Sequence, residues 1–152
     1  MISKALMIFL TSWILENTEF KKKLEFPNIR VLTGEKMADK ACYSSNVCKV
    51  KAYYVKEEGM YLIDELNPEE KVCDRSIVLH ELVHHYQKNL SGDFDLDEQT
   101  MWTLQERQAL FYQNLFLYQQ KSKNNNKGPE NILECEGGTY LDLQYEYNSK
   151  FN

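Results

Sequence analysis

The 152-residue sequence predicts an α+β fold. Three features point to it. Two long stretches, about 74–90 and 97–121, carry apolar residues at helical spacing. Two shorter runs rich in β-branched and aromatic residues, Val47–Val55 and Met60–Ile63, meet across Glu57-Glu58-Gly59 as a hairpin would. Glycines number 6 and prolines 3, so helix breakers are scarce. A hydrophobic fraction of 43% and a charged fraction of 27% are ordinary for a globular chain, and the length fits one domain over 1–152.

The elements follow in order. A first helix is expected over about 3–23, with Ile2, Leu6, Phe9, Trp13 and Ile14 toward the core. Lys4 and the apolar run Ala5–Leu10 resemble the start of a signal peptide, but no small-x-small cleavage site follows. The run is also too short to span a membrane, so it is read as a helix; if the protein is exported, Met1 stands where a native signal has been removed. Lys21–Lys23 fits a solvated helix end, where cations suit the dipole. After Pro27, Asn28–Leu32 reads as a strand, and Thr33–Asp39 as the opening of a short helix. The hairpin makes a sheet of two or three strands. A helix over about 74–90 takes Asp74 as its N-cap and stops at Ser91-Gly92. The next, over about 97–121, is expected to start with Asp95 and Glu98 in a capping-box-like pair. Lys121–Gly128 is a loop, and the polar, aromatic tail with Tyr140, Tyr145 and Tyr147 suggests no particular element.

Charge and cysteines bound the function. A net charge of −5 argues against a nucleic-acid partner, since Lys21–Lys23 is the only basic cluster. The four cysteines, Cys42, Cys48, Cys73 and Cys135, contain no CxxC pair, which disfavours a cysteine-based zinc site. Bridges Cys42–Cys48 and Cys73–Cys135 are expected. The second would tie the tail to the start of the 74–90 helix and place the protein in the periplasm or outside the cell; four buried thiols in the cytoplasm are the alternative.

All three histidines lie in His80-Glu81-Leu82-Val83-His84-His85. Residues four apart share a helix face, so His80 and His84 can reach one metal ion. Glu81 is set beside such an ion, where it can take a proton from water held there. An amphipathic helix can carry HExxH by chance. Here Ile77, Val78, Leu79, Leu82 and Val83 imply burial, and buried histidines and a glutamate without partners are costly. His85 is turned about 100° from His84 and cannot join the same ion. With no further histidine downstream, the third ligand must be a carboxylate. Glu106 is the best candidate, on a face with Trp102, Ala109 and Gln113, where small Ala109 allows close helix approach. Glu98 is the runner-up, although its place in the first turn also suits capping.

HExxH followed some twenty residues later by a helical glutamate resembles the gluzincin division of zinc metallopeptidases. More narrowly, His80-Glu81-Leu82-Val83-His84-His85-Tyr86-Gln87 and Glu106-Arg107-Gln108-Ala109-Leu110-Phe111-Tyr112-Gln113 are similar to a family of small uncharacterised bacterial proteins with HELxHHxQ and ExxAxxxQ helices. The resemblance implies a minimal zincin-like fold and zinc held by His80, His84 and Glu106. It implies peptide-bond hydrolysis with Glu81 as general base, acting on a peptide or protein. Gluzincins commonly supply a tyrosine or histidine to the oxyanion; Tyr112 and Tyr140 are candidates here, with packing the simpler account of each. A non-catalytic zinc-containing binding or interaction module is the alternative function.

Overall fold

The computed structural model describes residues 2–41, 50–92, 95–123 and 135. The pair Cys42–Cys48 and the tail tyrosines lie outside them. Among the described residues the architecture is α+β: four helices and a three-stranded mixed sheet in the order α1 (Lys4–Asn17), β1 (Ile29–Leu32), α2 (Gly34–Ala41), β2 (Ala52–Val55), β3 (Gly59–Ile63), α3 (Val72–Leu90) and α4 (Glu98–Lys123).

The sheet is built on β3, which pairs in parallel with β1 and antiparallel with β2. Every residue of β3 is buried. Successive side chains point to opposite faces, so Met60 and Leu62 enter the main core with the helices while Tyr61 and Ile63 pack with Met37 of α2. That two-sided burial explains the unbroken apolar run Met60-Tyr61-Leu62-Ile63, which would alternate if one face met water. Gly59 makes the hairpin possible. Its φ is 104°, and a Cβ there would sit 2.3 Å from the Asn28 carbonyl oxygen. That same carbonyl accepts from the Met60 N–H at 2.8 Å and starts the parallel pairing.

α1 opens where expected, with the Ser3 hydroxyl accepting from the Leu6 N–H at 3.1 Å. It ends at Asn17, six residues short of Lys23. The Thr18 hydroxyl donates to the Ile14 carbonyl and accepts from the Phe20 N–H, closing the helix. The residues that follow are claimed by α3 and α4. Phe20 packs on Tyr86, the Leu24 N–H donates to the Tyr86 hydroxyl, and the Glu25 carbonyl accepts from His85. Local helix propensity loses here to a strap across the two long helices. Lys21 is outside the helix but reaches back to its last turn, donating to the Leu15 carbonyl at 3.0 Å. The buried face of α1 is Leu6, Met7, Leu10, Trp13 and Ile14; Phe9 is 40% exposed, with only a ring edge against Phe116.

Two other helix starts differ from expectation. α3 begins at Val72 with Lys71 as N-cap and no side-chain cap bond. Asp74 lies inside its first turn and accepts from the Asn67 N–H at 2.9 Å, so it ties down the preceding loop. At α4 the cap is Asp97, which accepts from both the N–H and the hydroxyl of Thr100, at 2.8 and 2.7 Å; Asp95 and Glu98 do not form the box. α3 stops at Leu90 as expected, with Ser91 extended as its C-cap. α3 and α4 run antiparallel: Gln87 meets Gln105 and Gln108, His80 meets Glu106 and Gln113, and Ser76 meets Gln113. Ala109, with no exposed surface, lies in the core they share. Cys73 and Cys135 form a disulfide. No helix among the described residues is long and apolar enough to cross a membrane.

Candidate metal centre

His80 and His84 project from one face of α3 toward Glu106 on α4, as the i, i+4 spacing requires. The His84 Nε2 lies 2.8 Å from Glu106 Oε1, and the His80 Nε2 lies 3.2 Å from Oε2. The two Nε2 atoms are 3.1 Å apart. These three residues offer one ligand atom each, all within 4.8 Å of one another, and so form a group that can hold a metal ion. The cluster is largely buried, with side chains 10–13% exposed. Among the described residues Glu98 is not part of it.

Two glutamines set how the imidazoles face. His80 Nδ1 contacts Gln113 Oε1 at 2.9 Å, and His84 Nδ1 contacts Gln87 Oε1 at 2.7 Å. Both glutamines are 1–2% exposed. Their amide orientations are fixed by the groups that accept from their Nε2 atoms. The Ser76 hydroxyl donates to the Cys73 carbonyl at 2.6 Å, which leaves its oxygen to accept from Gln113 Nε2. Gln87 Nε2 donates to the Gln105 carbonyl at 2.9 Å. Each glutamine therefore turns its oxygen to a ring, and each ring carries its proton on Nδ1. The facing Nε2 atoms are left with their lone pairs pointed at each other and at a carboxylate.

Three electron-rich atoms at such distances require a positive charge among them. Burial acts to lower the His80 and His84 pKa values and to raise that of Glu106, but their mutual contacts reverse all three. Both imidazoles are held above their usual range by Glu106, with Glu81 adding to the effect on His80. Glu106 is held well below the usual carboxylate range by the two imidazoles. In the absence of a metal these contacts favour the protonated rings beside an ionised Glu106.

Glu81 follows His80 on α3 and is 6% exposed. His85 points elsewhere, as its neighbouring position requires. Its Nε2 donates to the Glu25 carbonyl at 2.9 Å, and its Nδ1 accepts from the Tyr54 hydroxyl at 3.0 Å. Burial pushes its pKa down. The Tyr112 hydroxyl donates to the Glu19 carboxylate rather than toward the cluster. Burial, reinforced by that carboxylate, pushes it up to about 12. In the sequence Gln87 was visible only as the final letter of its motif, and Gln113 as a residue sharing the Glu106 face, neither with a role toward the imidazoles. Their spacing, three from His84 and seven from Glu106, places each on its ligand's own helix face, which was the available signal.

A family model described as a domain of unknown function (DUF6647) matches residues 2–126, a span containing the whole cluster. No curated protein and no solved structure matches the chain.

Proposed function

We propose that this chain, which belongs to the DUF6647 family, is a zinc-dependent metallopeptidase-like hydrolase with His80, His84 and Glu106 as ligands. One observation carries the proposal: two ring nitrogens with their tautomers pre-set converge with a carboxylate in a largely buried cluster. Nitrogen and carboxylate donors suit zinc, and three protein ligands are the number that leaves a position for water or substrate. Bound there, zinc would polarise a carbonyl and make water more acidic.

The chain's own contribution to the chemistry falls to Glu81. It adjoins His80 without joining the ligand group, and its burial keeps it in a low-dielectric setting. In this role its carboxylate takes the proton of the attacking water and returns it to the departing amine, so that the peptide bond is cleaved with no net change at Glu81. A peptide or protein is the expected substrate. The Cys73–Cys135 bridge supports a periplasmic or secreted setting, where such bridges persist.

Glu81→Gln tests the assignment. The variant should keep its zinc and its fold while cleavage of a broad peptide library falls by about 10²-fold or more, the usual contribution of a general base. A variant that cleaves as fast as the wild type would remove Glu81 from the role. A wild type that holds zinc and cleaves nothing would leave the non-catalytic zinc module as the function.

A further inference from the structure

Glu19 lies in the strap after α1, exposed at the surface and 65 residues before His84 in the chain. Its two carboxylate oxygens accept from Gln108 Nε2 and from the Tyr112 hydroxyl. Gln108 Oε1 in turn accepts from Gln87 Nε2 at 2.8 Å, and Gln87 Oε1 accepts from His84 Nδ1 at 2.7 Å. Each link donates in the same direction, from the ring outward to the carboxylate. Both ends force that direction. An ionised carboxylate can only accept, and the Gln105 carbonyl can only accept from the same Gln87 amide. Reversing any one link would set donor against donor.

From this geometry we propose that Glu19 is a positioning residue for the metal centre. Its carboxylate anchors a one-way chain of N–H donors that holds the His84 ring with its Nε2 lone pair toward His80 and Glu106. The inference rests on the zinc-site reading above. Aligned hydrogen bonds polarise one another, so a full charge at the outer end makes His84 Nδ1–H a stronger donor and Nε2 a more basic ligand. Glu19 is exposed and its direct field is screened by solvent, so its influence passes through the bonded chain. The equivalent chain from His80 ends on a neutral group, the Cys73 carbonyl. His84 is therefore the more strongly polarised of the two imidazoles.

The test uses the full chain with zinc(II) and a competing chromophoric chelator. Glu19→Gln keeps the shape and removes the charge. It should weaken zinc binding about threefold to tenfold, at or below the 10–100-fold seen when a partner bonded directly to a ligand is lost. Gln108→Leu should do the same by cutting the chain, and the double variant should be no weaker than either single one. Tyr112→Phe removes the other donor to Glu19 and should leave affinity at the wild-type level. In the metal-free protein, the ¹⁵N shifts of the His84 ring should move in Glu19→Gln while those of His85 stay in place. Wild-type affinity and unchanged His84 shifts in Glu19→Gln would overturn the proposal, as would additive losses in the double variant. If Glu106→Ala loses zinc while Glu19→Gln matches the wild type, the relay alone fails. If the wild type itself takes up no zinc, both readings fail.

Discussion

Removing Glu106 has a consequence that can be worked through in numbers. In the proposed site the carboxylate is one of three ligand atoms, and Glu106→Ala would leave only the imidazole pair on α3. Protein zinc sites bind with about 10–16 kcal/mol, so a one-third share of the lower figure is roughly 3 kcal/mol, or about two decades in Kd. Stability should report the same loss. With free zinc at 100 times the wild-type Kd, binding adds about 2.7 kcal/mol to the folded state; with Kd raised 100-fold the gain falls to about 0.4 kcal/mol. The lost difference corresponds to a fall in zinc-induced thermal shift of roughly 5–9 °C for a chain of this size. Chelator competition and thermal unfolding with and without zinc measure the two quantities independently. Unchanged zinc stoichiometry and affinity in Glu106→Ala would refute the ligand assignment, and a loss in Glu98→Ala instead would move the third ligand to the start of α4.

Three other outcomes are expected. In metal-free protein the raised His80 and His84 pKa values contribute stability that is complete below about pH 6.5 and lost as pH rises through their folded values, while the depressed Glu106 contributes stability that is lost only as pH falls well below its ordinary range; zinc uptake should run the opposite way above neutrality, strengthening as the rings lose protons, and unfolding curves at several pH values with and without zinc will show whether the two trends diverge. Gly59→Ala forces a side chain to a φ of 104° and into the Asn28 carbonyl, so it should destabilise by about 1–3 kcal/mol in denaturant melts, and a neutral result would contradict the close approach. Replacing Cys73 and Cys135 together by serine opens a bridge with a sequence separation of 62, for which chain entropy predicts a loss of up to about 4 kcal/mol, and intact mass with and without reduction checks the bridge first.

The parts of the site that depend on local periodicity were readable from the sequence. His80 and His84 face one way because α3 is a helix, and Glu106 shares a face with Gln113 because α4 is one. The hairpin was readable because Gly59 supplies a backbone conformation that other residues resist. What escaped the sequence was decided by partners distant along the chain. Thr18 closes α1 with its own side chain, but a single threonine is a weak stop signal in a sequence; Phe20, Leu24 and Glu25 are held outside the helix because Tyr86 and His85 engage them. Asp74, Asp95 and Asp97 are all plausible caps, and only the path of the preceding loop selects among them. The protonation pattern of the imidazoles was likewise hidden, since it is fixed by the Gln105 and Cys73 carbonyls, which carry no side-chain signature.

The antiparallel pairing of α3 with α4 also bears on the order in which the protein folds. The ligands and their two glutamines fall within residues 76–113, and their contacts across the helix pair join residues 26 and 33 apart. Contacts this close in the chain form early, as short loops close at low entropic cost. Glu19 reaches Gln108 across 89 residues, a closure that costs about 1 kcal/mol more than one of 26 by the logarithmic dependence on loop length. The helical pair can therefore gather its donors while the N-terminal strap is still undocked. On the zinc-site reading and the proposed Glu19 relay, cation capture by the helix pair and tightening of His84 would be separable events, the second following docking of the N-terminal strap.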